Sequence, residues 1–393
     1  MTTNGSTPCT RPQEGRTRSF FWEETVQEWQ SARKEGQRPR LSEYVTRNLR
    51  ALREGVNQEP GTNPALRSLH RVPLQDDGLD HLPNRYIAEH HTLTLFGLHQ
   101  HAASEPVHQP DVGLGTACLL LRRSEALTQA AVERRLIAAA TAQDLDELVQ
   151  HLQRLVPLLR HAGIGLDYTR VLRELTAWEG PGRNRVLRAW GLQYTDPCTP
   201  GTEGKEGAGQ ERAPYWVTFV PGSPQAGAEL AALRSGTGRE PGTIAAMWPF
   251  HRTHMASEWR NKGSLTRDLA AEHTALTLFA RHQQTHNRPM HVAGASPGTA
   301  AGLLLRKAVA DSEGKAATAA LERRFGVLLT SADADELAMH LRSLIPLLNQ
   351  ARIGLDYDLL RTALRTWDDP RRPDAATVFR QRWDRDFHLA ASS

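Results

Sequence analysis

This 393-residue chain lacks several features that mark large classes of proteins. It has only three cysteines, Cys9, Cys118 and Cys198, and they do not occupy equivalent places in the internal repeat described below. We therefore expect no disulfide framework, which favours a reducing cytosol. No apolar run approaches the roughly 18 residues of a membrane span, and the N-terminus has no apolar segment typical of a secretory signal. These absences predict a cytoplasmic protein without membrane association.

The sequence motifs of common enzyme chemistry are also missing. The chain contains no HExxH zinc motif, no pair of CxxC motifs, no P-loop, no GxSxG nucleophile elbow and no GxGxxG in a strand–helix context. No residue is indicated as a nucleophile. We therefore predict a protein that is not an enzyme and has no catalytic residue, metal ion or cofactor.

What the chain does contain is a long internal repeat. Residues 133–178 recur as residues 322–367 at a constant offset of 189 residues without a gap. Shorter blocks that precede this segment recur at offsets of 181 and 183 residues. Solenoid repeats have periods of roughly 20–50 residues, so this pattern indicates duplication of a whole domain.

The repeat predicts four parts of the chain. These are a disordered N-terminus, a first helical domain, a flexible linker and a second helical domain, at residues 1–16, 17–195, 196–214 and 215–393. The linker is predicted from its Gly, Glu, Thr and Pro content and its near lack of apolar residues. Each domain, here called the first and the second repeat, is long enough to bury its own core.

Helical patterns dominate both repeats, and strand patterns are scarce. The leucines and valines of residues 145–159 fall on an arc of about 120° at 100° per residue, as in a helix that faces a core. Thr141 and Thr330 each precede an aspartate by three residues, which suggests capping boxes. Asp167 and Asp356 are predicted N-caps of the next helix. We predict an all-α fold with two similar helical bundles in tandem.

Two groups of polar residues suggest a metal site. His90 and His99 are nine residues apart, which places them on opposite faces of one helix, so we interpret them as helix-surface or core-edge histidines. A second group consists of carboxylates and an imidazole, which could bind Mg²⁺ or Mn²⁺ for phosphodiester cleavage. Its members recur in both repeats: Asp144, Asp146, Glu147 and His151, with Asp333, Asp335, Glu336 and His340. Acids in a first helical turn are expected for capping alone, so a metal-dependent nuclease is only an alternative hypothesis.

Basic residues recur at matching positions and are the main candidates for function. They are Arg53 with Arg234, Arg122 and Arg123 with Arg306 and Lys307, and Arg134 and Arg135 with Arg323 and Arg324. Arg239 of the second repeat is a further candidate without a basic counterpart in the first. On outward helix faces such residues form a stripe that follows a phosphate backbone. They serve equally well for solubility when paired with glutamates one turn away. The net charge of +4 permits an anionic partner without requiring one.

The order of several motifs resembles the CasB family, the small subunit of the type I-E CRISPR effector complex Cascade. The motifs are ERR, HLxxLxxLL and IxLDYxxLxxxLxxW, together with LAALRSGTGREPG at residues 230–242 and EHTALTLFARHQQ at residues 272–284. The resemblance covers most of both repeats. The first repeat departs from it at Asn57-Gln58, where the second has Gly238-Arg239, and at Arg67, where the second has Trp248.

The resemblance implies an all-α, non-catalytic protein that works inside a larger complex. Two CasB copies bridge the large subunit and the crRNA-bearing backbone subunits, and basic residues hold the target and non-target DNA strands of the R-loop. One fused chain is expected here in place of a small-subunit dimer. By position, phosphate contacts are expected from the recurring basic residues: Arg53, Arg122, Arg123, Arg134, Arg135, Arg234, Arg306, Lys307, Arg323 and Arg324.

Three hypotheses of function remain at this point. The chain is such a nucleic-acid-binding subunit, an interaction scaffold whose arginines bind acidic proteins, or, as the least favoured, a metal-dependent nuclease. The tryptophans are either platforms that stack with bases or core residues, and in amphipathic helices the second is more common. They are Trp178, Trp190, Trp367 and Trp383.

Overall fold

The computed structural model describes residues 19–34, 41–72, 81–103, 105–124, 126–195, 213–311 and 314–392. Over these residues the chain is helical, without strands, which confirms the predicted all-α fold class. The predicted disordered N-terminus and nearly all of the predicted linker lie outside the described residues. Within the described ranges, no helix combines the length and hydrophobicity needed to cross a lipid bilayer.

The helices of the two repeats follow one another in the same order. Those of the first repeat are α1 (Phe21–Lys34), α2 (Glu43–Glu54), α3 (Pro64–Arg67), α4 (Asn84–Gln100), α5 (Leu114–Arg123), α6 (Gln129–Thr141), α7 (Leu145–His161), α8 (Tyr168–Ala177) and α9 (Arg183–Thr195). Those of the second repeat are α10 (Tyr215–Thr218), α11 (Ala226–Arg234), the 3₁₀ helix η1 (Ala245–Phe250), α12 (Ser257–Asn261), α13 (Arg267–Gln283), α14 (Pro297–Ala310), α15 (Lys315–Leu329), α16 (Ala334–Ala351), α17 (Tyr357–Thr366) and α18 (Ala375–Ser392). Helices α4 and α13 both have 17 residues, and α8 and α17 both have 10.

The chain forms two compact units. The first contains Met1–Pro110 and Leu152–Thr176, and the second contains Asp111–His151 and Ala177–Ser393. The second unit therefore includes parts of the first repeat as well as the whole second repeat. An apolar cluster of this unit runs through the second repeat, from Tyr215 to Phe387.

In the first unit, α2 lies very close to α4. A Cβ atom at Gly97 would be 2.5 Å from the Cβ of Leu52, so only glycine permits this approach. Phe21 and Trp22 at the start of α1 are fully buried, and the ring of Phe21 contacts that of Phe96 edge to face at 6.0 Å. These contacts make α4 the central helix of the unit.

In the second unit, glycines bring the last helix of each repeat close to its neighbour. A Cβ atom at Gly298 of α14 would be 1.9 Å from the carbonyl oxygen of Trp383 in α18. One at Gly115 of α5 would be 2.1 Å from the carbonyl oxygen of Trp190 in α9. The two equivalent contacts fix α18 and α9 in the same register in their repeats. They also position α15 and α6, which follow in the chain and carry the recurring arginine pairs.

Helix α7 begins at an aspartate instead of the predicted threonine. The carboxylate of Asp144 accepts the backbone N–H of Glu147 at 2.8 Å, and α16 starts in the same way. The capping role predicted for Thr141 and Thr330 was wrong because both residues belong to the end of the preceding helix. Thr141 is the last residue of α6, and Thr330 is the C-cap of α15. Both hydroxyls donate back to a carbonyl of their own helix. The predicted N-cap Asp356 is confirmed, since it accepts two backbone N–H groups at the start of α17.

Candidate nucleic-acid interface

The arginine pairs of α6 and α15 lie on the outward sides of their helices. Each helix buries a narrow apolar face, which contains Val132 and Leu136 in α6 and Phe325 and Leu328 in α15. Arg134 and Arg135 lie between the two buried positions of α6, and Arg323 and Arg324 immediately precede Phe325, so the helical period turns all four away from the core. The exposed residues are Arg134, Arg135, Arg323 and Arg324.

These four arginines keep their charge unneutralised by neighbouring acids. Within the described part of the chain, none of them forms an ion pair with a carboxylate. Arg135 donates to the backbone carbonyl of Ala131 at 2.9 Å, which leaves most of its guanidinium donors available. The interpretation that they are glutamate-paired solubilising residues therefore does not fit these positions.

A groove runs beside α15 in the second repeat, and we call it the α15 groove. It has a volume of about 420 Å³ and is lined by Ala320, Arg323, Arg324, Val327, His340 and Ser343. The imidazole Nε2 of His340 lies 3.5 Å from the carboxylate of Glu336 on α16. Two guanidinium groups beside small apolar side chains suit a phosphate-bearing strand whose sugars or bases rest on the apolar floor.

The first repeat has closely related residues at the equivalent sequence positions. Both arginines and the histidine recur, as Arg134, Arg135 and His151. Arg154 stands where the second repeat has Ser343, and Ala138 stands where it has Val327. Sequence reasoning identified the arginines but not the smaller groove residues, because their role depends on how α15 packs on α16. The sequence suggested His340 only as a possible metal ligand.

The other predicted basic residues occupy more varied settings. Arg123, Arg239, Arg306 and Lys307 are exposed, and the ammonium of Lys307 donates to the carbonyl of Ala351 at 3.3 Å. Arg234 is half-buried at the end of α11. None of these residues lines the α15 groove. Among all the predicted basic residues, only Arg323 and Arg324 do so.

Two of the predicted arginines already contact an aromatic ring within their own unit. The guanidinium of Arg53 lies 2.7 Å from Nδ1 of His101 in the first unit. The guanidinium of Arg122 lies over the ring of Tyr194, 4.8 Å from its centroid, in the second unit. A cation–π contact of this kind leaves the charge in place but restricts the side chain.

The two equivalent tryptophan pairs of the repeats are core residues, not stacking platforms. Trp178 stacks on Trp190 with ring centroids 5.4 Å apart, and Trp367 stacks on Trp383 at the same distance. All four rings are at most 2% exposed. The hypothesis that they stack with bases is wrong for this structure because no face of these rings reaches solvent.

The recurring histidines are also buried structural residues. His99 lies between the hydroxyl of Tyr168 at 2.8 Å and the carbonyl of Ile164 at 3.0 Å. His282 makes the same two contacts with Tyr357 and the carbonyl of its own repeat. Burial lowers the pKa of both histidines to about 4. They are deeper than the predicted helix surface or core edge, and they act as neutral hydrogen-bonding links.

The acidic cluster of the nuclease hypothesis serves mainly to begin helices. Asp144 caps α7, and the carboxylate of Glu147 accepts the N–H of Gln143 at 2.6 Å while its other oxygen lies 3.6 Å from His151. The equivalent contacts recur at α16. With these atoms engaged, the cluster has the geometry of a capping box rather than of a metal site.

Another group of possible ligands is His291, Asp356 and Asp358. Nδ1 of His291 accepts the backbone N–H of Tyr357 at 3.2 Å, so the neutral ring carries its proton on Nε2 and offers no second lone pair. Asp356 accepts N–H groups of α17 and of Gly294. Asp358 accepts the indole N–H of Trp216 at 2.9 Å. All three residues therefore already form hydrogen bonds that hold the fold, which does not favour a metal site.

The chain is therefore an all-helical protein with two similar repeats and a basic surface groove. The acidic residues that suggested a metal site cap its helices instead. The family model of the CRISPR-associated protein Cse2 matches residues 48–194 and again residues 229–388, so the chain belongs to this family and contains two copies of it. The resemblance to the CasB family is thereby confirmed. The family places the chain among the small subunits of CRISPR Cascade complexes.

A comparison with solved structures found one similar protein, CasB from Thermobifida fusca. The two sequences are 29% identical over 44% of this chain and 89% of that chain, with a TM-score of 0.31. No curated protein sequence matches the chain significantly.

Proposed function

We propose that this chain fills both small-subunit positions of a type I-E Cascade complex as one polypeptide. Its repeats, at residues 17–195 and 215–393, would bridge the large subunit and the crRNA-bearing backbone, with residues 196–214 as the connection. The two family-model matches in one chain support this proposal. We expect it to act without catalysis.

We further propose that the chain stabilises the R-loop through phosphate contacts to the target and displaced DNA strands. The observation that carries this proposal is the α15 groove, where Arg323 and Arg324 are exposed and, among the described residues, form no ion pair with a carboxylate. In guide-directed recognition, base pairing reads the sequence, so the protein needs charge and shape only. Because strand exchange is nearly balanced in free energy, a few phosphate contacts shift it substantially.

Reversing the charge of the groove is expected to weaken R-loop formation. In the assembled complex, the double variant Arg323→Glu and Arg324→Glu should bind target DNA at least about 100-fold more weakly, since two charge-assisted contacts of roughly 1.5 kcal/mol or more are lost and each 1.4 kcal/mol or so is a factor of ten. The slope of log affinity against log salt concentration should decrease by roughly 1 to 2, because fewer counterions are released. Binding isotherms at several salt concentrations measure both effects.

The matched control is the double variant Arg371→Glu and Arg372→Glu. This is also an exposed adjacent arginine pair in the second repeat, but it lies outside the α15 groove. It changes the net charge equally, so it should leave DNA affinity close to that of the wild type. If both double variants have the same affinity and the same salt slope as the wild type, the arginines serve a protein-only scaffold instead.

The fused arrangement predicts an unusual stoichiometry. A purified complex should contain one copy of this chain for each guide RNA, where separate small subunits would be present twice. Native mass spectrometry of the complex, co-expressed with its neighbouring subunits, measures this ratio. Two chains per guide, or no co-purification with the guide, would contradict the proposal.

A further inference from the structure

The α15 groove is lined by one histidine, His340, beside its two arginines. Nε2 of His340 is buried, forms no hydrogen bond with the described residues and lies 3.5 Å from the carboxylate of Glu336. The other ring nitrogen, Nδ1, also has no hydrogen-bond partner in the described part of the chain. Nδ1 is therefore the nitrogen that remains for a ligand in the groove.

The carboxylate that faces His340 is fixed by the start of α16. One oxygen of Glu336 accepts the backbone N–H of Ala332 at 2.6 Å, and the other faces the imidazole. The backbone N–H of Glu336 itself donates to the capping carboxylate of Asp333 at 2.8 Å. The ring thus stands beside an anchored negative charge, so a ligand does not have to order both groups when it binds.

The same histidine–glutamate pair occurs in the first repeat. Nε2 of His151 lies 3.6 Å from the carboxylate of Glu147, whose other oxygen accepts the N–H of Gln143. Helix capping accounts for the glutamate in both repeats, but it does not require a histidine one turn later. A neighbouring groove position does change, since Val327 corresponds to Ala138. The histidine is therefore retained where capping does not explain it.

The charges around His340 come from two helices. Glu336 lies one turn before it on α16, and Arg323 and Arg324 line the groove from α15. Helices α13, α14 and α17 also pack on α16, but none of their described charged residues lines the groove. An anionic ligand between the arginines and His340 would therefore place a second negative charge beside the ring, in addition to Glu336.

Building on the R-loop function proposed above, we propose that His340 is a third phosphate-binding residue of the α15 groove and takes up a proton when DNA binds. A neutral imidazole has one N–H and one lone pair. Whichever nitrogen carries the proton, the other presents its lone pair to an anionic oxygen, either of Glu336 or of the phosphate. Only the imidazolium, with a second proton taken from solvent, donates to both.

The pH dependence of DNA binding tests this inference. In the assembled complex, target-DNA affinity should increase as the pH falls from 8 to 6.5, because binding takes up a proton. His340→Gln should bind about as tightly as the wild type at pH 8 and more weakly at pH 6.5, since a glutamine amide donates to phosphate but does not titrate. The pH dependence should decrease by up to about tenfold per pH unit, the effect of one proton. Binding isotherms at constant ionic strength measure it.

His388→Gln is the matched control. His388 also lies near a carboxylate one turn earlier, with its Nε2 3.7 Å from Asp384, but it does not line the groove. This variant should keep the wild-type pH dependence. If it loses that dependence as His340→Gln does, the inference is wrong, because the proton is not taken up in the groove.

Two further results would overturn the inference. One is a wild-type pH dependence in His340→Gln, which leaves the pair with a role in helix stability only. The other is an equal loss of affinity at every pH, which means that no proton is taken up. The double variant Arg323→Glu and Arg324→Glu then separates the two proposals. If it still weakens binding, the proposed function stands without the histidine, and if it does not, both proposals fail.

Discussion

Replacing Gly298 with alanine is expected to destabilise the protein by about 3 kcal/mol or more. The new Cβ atom would lie 1.9 Å from the carbonyl oxygen of Trp383 and 2.7 Å from its carbonyl carbon. Because these are backbone atoms of α18, no side chain can rotate to make room, and the two helices must separate. Separation weakens the stacking of Trp367 on Trp383 at the same time. Urea unfolding followed by circular dichroism measures the free energy of unfolding.

The chain offers a matched control for this substitution at Gly326. This glycine lies within α15, and a Cβ atom there has no neighbour within 4 Å. Gly326→Ala is therefore expected to stabilise the protein by about 0.5–1 kcal/mol, since alanine favours a helix interior. If the two alanine variants unfold at the same urea concentration, the close approach of α14 and α18 is not as described.

Lowering the pH from 7.5 to 5 is expected to reduce stability strongly. Burial lowers the pKa of four histidines to about 4, namely His90, His99, His273 and His282. In the unfolded chain the same groups titrate near 6.5, so between pH 6.5 and 4 the unfolded state binds more protons than the folded state. Stability is therefore complete above pH 6.5 and is lost as the pH falls. At pH 5 the loss is on the order of 2 kcal/mol for each histidine.

His282→Gln tests the cause of this pH dependence. A glutamine amide offers a donor and an acceptor to the hydroxyl of Tyr357 and the carbonyl of Ile353, but it does not titrate. The variant should be less stable than the wild type at pH 7.5 and should lose less stability on going to pH 5. His161→Gln, at an exposed position, is the control and should keep the wild-type pH dependence. Equal urea midpoints at pH 7.5 and 5 in the wild type would refute the explanation.

Local features of the fold were predictable from the sequence because they depend on short-range physics. The helical period places Arg134 away from the buried face of α6 and Arg135 at its flank, and both are exposed, while aspartate chemistry correctly assigned Asp356 as an N-cap. The prediction that Thr141 caps α7 was wrong, since Asp144 is the cap. The position of the cap depends on where the preceding helix stops, and a local pattern of three residues does not contain that information.

Features that depend on packing between helices were not predictable in the same way. The arginines of the α15 groove were identified, but Val327 and Ser343 entered the site only once α15 and α16 were placed side by side. The difference between Arg67 and Trp248 was visible when the two repeats were aligned. Its physical reason was not, because Trp248 is buried against Gly191, which belongs to the other repeat.

The contacts of Arg188 also set an order of events during protein synthesis. Its acceptors on Glu240, Pro241 and Gly263 lie 52 to 75 residues later in the chain. A ribosome that adds about 5–20 residues per second needs roughly 4–15 seconds to make this stretch. During that interval Arg188 on α9 stays without those acceptors, and the side of the helix that carries it stays uncovered. The first repeat therefore leaves the ribosome with one face unfinished, and its folding is completed only when the second repeat has been made.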